Sequence, residues 1–73
     1  MKFNELSCVK ILRNFPKYGI KKGDIGVILT VYKNPFEAYE VEVNDTNGKP
    51  KATIVILSSD LELMRYPIEN SDC

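Results

Sequence analysis

Apolar and polar residues alternate along much of this chain with a period of two, most strictly over Ala38-Tyr39-Glu40-Val41-Glu42-Val43. That spacing predicts a strand with Tyr39, Val41 and Val43 turned inward and Glu40 and Glu42 in solvent. Upstream, residues 7–13 predict a first strand carrying the β-branched Val9 and Ile11. It stops before Pro16, which has no N–H to give a ladder. Residues 14–24 then read as a long irregular loop in which Gly19 and Gly23 supply positive φ. A second strand, rich in Val, Ile and Thr, begins at Ile25 or Gly26 and runs to Tyr32, where Asn34-Pro35 breaks it. Beyond the third strand, residues 44–49 contain Asn47-Gly48, a strong hairpin-turn dipeptide, and a fourth strand over 52–57 returns from it. Ser58-Ser59-Asp60 predicts one helical turn, capped by a serine or by the aspartate. Residues 61–64 predict a short last strand, and a polar tail begins near Pro67.

Five short strands, a long first loop, a tight hairpin and a single turn before the final strand predict an all-β fold. The order and connection lengths are those of a small SH3-like barrel of five antiparallel strands. An OB-fold also has five strands, but it calls for a longer chain and a helix between strands three and four. No helical period of 3.6 runs over a useful length. The expected organisation is one barrel domain over residues 1–66 and a polar C-terminal tail over 67–73.

Composition narrows what such a domain does. With 73 residues the chain buries only roughly 60% of the surface its unfolded form exposes, so a deep catalytic pocket would consume much of the core. Ten basic residues balance ten acidic ones, whereas nucleic-acid binders usually carry a basic excess. The apolar run over residues 27–31, with Thr30 inside it, is far short of a membrane span, as is every other run in the chain. The first five residues lack the apolar stretch of a signal peptide, and cytoplasmic residence is the expectation. Two cysteines, Cys8 and Cys73, make no disulfide framework. Cys8 is expected to be a buried free thiol in the first strand, and Cys73 to be capable of an intermolecular bridge.

Catalytic chemistry has little to work with. The chain has no histidine, which removes the commonest general base and metal ligand, and leaves Ser58 and Ser59 without an imidazole partner. Glu40 and Glu42 form a carboxylate pair better explained as a solvated strand face, and Asp45 and Asp60 fit turn and cap roles. The glycine-rich segment from Gly19 to Gly26 precedes a strand, whereas a phosphate-cradling loop feeds a helix N-terminus. No catalytic residue, metal or cofactor is expected. What is left is surface: Lys17, Lys21 and Lys22 surround Tyr18 in the first loop, and Tyr32 and Phe36 lie near the second. If the two loops sit side by side, Tyr18 and Phe36 rim a shared groove with Tyr32 at its edge, since aromatic anchors are favoured in binding surfaces. The fourth strand is apolar on both faces, and a homodimer is expected to cover its outer face if the monomer does not.

The run Pro16-Lys17-Tyr18-Gly19-Ile20-Lys21-Lys22-Gly23-Asp24-Ile25-Gly26-Val27-Ile28, with Tyr39-Glu40-Val41-Glu42-Val43, Asn47-Gly48 and Asp60-Leu61, resembles a bacterial family of short stand-alone proteins of unknown function. The resemblance spans about Phe3 to Met64 and implies no catalytic residue. Proteins of this kind resemble small partners encoded beside toxins or larger bacterial proteins, which implies an immunity or antitoxin role. The stretch Gly23-Asp24-Ile25-Gly26-Val27-Ile28 is also similar to the KOW motif of ribosomal and transcription proteins, and implies RNA contact through Lys17, Lys21 and Lys22. The leading expectation is therefore a non-catalytic protein-binding module, with nucleic-acid binding as the alternative.

Overall fold

The computed structural model describes residues 3–64, so the tail expected over 67–73, Cys73 included, lies outside the described residues. Five strands form: β1 (Cys8–Ile11), β2 (Ile25–Tyr32), β3 (Ala38–Asn44), β4 (Pro50–Leu57) and β5 (Leu61–Leu63). Short 3-10 turns occupy Pro16–Tyr18 and Ser58–Asp60. All pairings are antiparallel and the strand order is β4-β3-β2-β1-β5. Four strands therefore follow one another as a meander and the fifth returns to the first, the small SH3-like arrangement that the strand count and connection lengths predict. The sheet is open: among the described residues β4 and β5 are its two edges.

Alternation decides which side chains meet inside. Tyr39, Val41 and Val43 are fully buried, as the pattern in β3 predicts, and Val9, Ile11, Ile28 and Ile56 join them from β1, β2 and β4. The Tyr39 ring meets Phe3 edge-on at 5.1 Å. Its hydroxyl donates to Glu37 Oε2 at 2.7 Å and accepts the Phe3 N–H at 3.3 Å, so its polar end is satisfied. A register shift between Ile28 and Thr30 adds a residue to β2 and bends it.

Two expectations need correcting. The Ser58–Asp60 turn forms, but neither serine nor aspartate caps it: Leu57 holds the capping position and makes no side-chain bond. The Asp60 carboxylate faces across the sheet instead, accepting from Arg13 Nε at 3.1 Å. Cys8 is only half-buried and is disulfide-bonded, not a free thiol. Its even position in β1 turns it away from the face that Val9 and Ile11 bury. Asp45 does serve the hairpin as expected, accepting the N–H groups of Asn47 and Lys49 at 2.8 and 2.9 Å.

Candidate functional site

The outer face of β2, β3 and β4 is where apolar surface collects. Register places Tyr32, Ala38 and Leu57 in one row across the three strands, and Thr30, Glu40 and Val55 in the next. Period-two alternation sends these side chains away from the core that Tyr39 and Ile56 fill. Asn34-Pro35, whose peptide bond is cis, leads the chain from β2 to Phe36 beside this face. Phe36 is 59% exposed and Val55 58%, while Tyr32 and Leu57 also stand open. Tyr32, Asn34, Pro35, Phe36, Ala38 and Val55 line a depression of about 310 Å³. Beside it, Glu40 accepts from Thr30 Oγ1 at 3.0 Å, which fixes a carboxylate at the apolar margin.

The first loop forms a second, separate surface. Phe15 and Ile20 exchange backbone hydrogen bonds at 2.9 and 3.2 Å around the Pro16–Tyr18 turn, and Gly19 closes that turn at φ 72. The Lys22 N–H donates to Asn14 Oδ1 at 2.8 Å. Lys17 Nζ lies 5.7 Å from the Tyr18 ring centroid, within cation–π range. Asn14, Pro16, Gly19, Ile20 and Lys21 line a depression of about 500 Å³. It is the larger of the two and its lining is also mostly apolar, although Ile20 itself is buried in the core.

The structure thus divides the six expected contact residues into two groups. Lys17, Tyr18, Lys21 and Lys22 sit where β2 begins, and Tyr32 and Phe36 where it ends. β2 is eight residues long, so roughly 20 Å separates them. The groove expected between Tyr18 and Phe36 does not form, because in an antiparallel meander the connections before and after β2 leave from its opposite ends. Lys51 Nζ, on β4, donates to Gly19 O at 3.2 Å and to Asp24 Oδ2 at 2.8 Å, which draws the loop toward the β3–β4 hairpin. Asp24 also accepts the Lys21 N–H at 2.9 Å. Burial works to raise the Asp24 carboxyl, but the Lys21 N–H, the Lys51 ammonium and the Lys21 charge together hold it below its ordinary value.

The pairing of Lys51 with Asp24 escapes a reading by pattern because 27 positions separate the two residues. Val55 and Leu57 did carry a signal, the run of apolar residues on both faces of the fourth strand. Among the described residues no cluster of three His, Cys, Asp or Glu side chains could hold a metal ion. No helix there is long and apolar enough to cross a membrane.

A family model described as "Domain of unknown function (DUF4926)" matches residues 5–63. The chain belongs to that family, and the match covers all five strands and both loops. No curated protein matches the chain, and no solved structure does.

Proposed function

We propose that this member of the family is a non-catalytic binding module whose ligand is another protein, engaged on the outer face at Tyr32, Phe36, Val55 and Leu57. The observation that carries the reading is the exposed apolar cluster there, two of whose members are aromatic. Aromatic side chains bury much area at small entropic cost, and they dominate the energetics of protein interfaces. The Glu40 carboxylate at its margin supplies a polar group for orientation. A toxin-neutralising or immunity role is the specific form we favour, as the resemblance to partners encoded beside toxins implies. Affinity purification of the chain from its native host should retain one protein in stoichiometric amount. Recovery of the chain alone would defeat the reading.

A second reading has its own observation, the lysine cluster of the first loop with Lys17 placed against Tyr18. Lysines beside an aromatic ring suit single-stranded nucleic acid, where bases stack and phosphates pair with ammonium groups. Titration with RNA and DNA at low and raised salt decides it, since such binding must weaken steeply as salt rises.

A further inference from the structure

We propose that two copies of this chain associate edge to edge through β4, antiparallel about a two-fold axis that passes at Val55. The two edges of the sheet are built differently. β5 has three residues with the charged Glu62 at its centre, the short, blunted kind of edge that resists pairing. β4 has eight residues, and its proline and lysine, Pro50 and Lys51, both lie at its start. Residues 53–57 carry no charge, proline or glycine, and among the described residues nothing pairs with their outer edge. A long uncharged edge of this kind is a template for another strand.

The occupant follows from the order of the residues. Thr53-Ile54-Val55-Ile56-Leu57 reads almost the same in both directions about Val55. Antiparallel pairing centred there sets Val55 against the partner's Val55, Ile54 against the partner's Ile56, and Thr53 against the partner's Leu57. A two-fold contact demands this reciprocity, and no like charges meet across it. The register also keeps every side chain on its proper face, because residues an even number of positions from Val55 stay outward in both copies. The two sheets become one, with both apolar outer faces on the same side. The contact is small, so association depends on concentration. It does not rest on the protein-binding reading, since backbone hydrogen bonds and the β4 side chains alone make it.

Sedimentation equilibrium of the full chain from about 10 μM to 1 mM tests it, a range suited to a weak complex. The mass should rise with concentration from 8.3 kDa toward twice that value. Val55→Lys should stay at 8.3 kDa throughout, because two ammonium groups would face each other at the axis. That variant keeps its fold, since Val55 is 58% exposed and lies opposite Glu40 in the β3–β4 register, which circular dichroism and thermal melting verify. Glu62→Lys, on the other edge, should dimerise like the wild type. A wild type that stays monomeric, a Val55→Lys chain that still doubles, or loss of the dimer in Glu62→Lys alone each overturns the proposal. So does a doubled mass that survives denaturing, non-reducing electrophoresis, which marks a cysteine-linked species.

Discussion

At Gly26 the backbone of β2 comes so close to β3 that a Cβ would meet Val41 Cγ1 at 2.5 Å and the Glu42 carbonyl oxygen at 2.9 Å. The oxygen belongs to a ladder on either side of which strands are paired, so it has little room to move. Gly26→Ala should therefore destabilise by about 1–3 kcal/mol and lower Tm by roughly 5–20 °C, read by thermal melting. Asp24 gives a prediction with a sign. Its carboxyl is held below the ordinary value in the folded chain, so its contribution is present above the unfolded value of about 3.9 and is lost as pH falls through the folded one. Asp24→Asn should cost about 1.5–3 kcal/mol at pH 7, and urea midpoints of variant and wild type should converge on acidification. An unchanged gap between them at pH 2 would refute the linkage. Neither constraint was legible in the sequence: nothing around Gly26 shows how closely β3 approaches, and nothing local to Asp24 announces a lysine from β4.

Strands and turns were legible where local chemistry decides them. The alternation of residues 38–43 became β3 with its three inward residues fully buried, and Asn34-Pro35 ended β2 as expected. The hairpin depends on Asp45 as well as on Asn47-Gly48. Its carboxylate accepts two backbone N–H groups, so Asp45→Ala should lower stability by about 1–2 kcal/mol, measured as a reduced urea midpoint at constant m value. The expected cap did not form because a capping side chain must stand just before the turn, where Leu57 is; Ser58, Ser59 and Asp60 lie within it, and Asp60 pairs with Arg13, 47 positions away. The first loop was misplaced because it enters β2 at the end opposite to the one Phe36 leaves, and Lys51 anchors its tip at the hairpin end of the sheet. Sequence patterns describe what a strand does to its own side chains, not which distant side chain anchors a loop.

For the whole molecule, the fold was readable because five short strands in this order admit few topologies, and the observed order is one of them. The candidate surface was half readable. Tyr32 and Phe36 stand out as aromatics outside the inward pattern, and the apolar fourth strand stands out too, but only the register shows that they share one face. The chain carries no net charge, so long-range attraction favours no class of partner, and the choice of ligand falls to local surface. Two such surfaces lie roughly 20 Å apart, one apolar and one basic. The most direct test is the affinity of the protein that the chain retains from its host for two variants of equal stability. One is Tyr32→Ala/Phe36→Ala; the other changes Lys17, Lys21 and Lys22 to Gln. The account predicts that the aromatic variant loses about tenfold or more in affinity while the lysine variant binds like the wild type. Equal binding by the aromatic variant, with loss confined to the lysine variant, would contradict it.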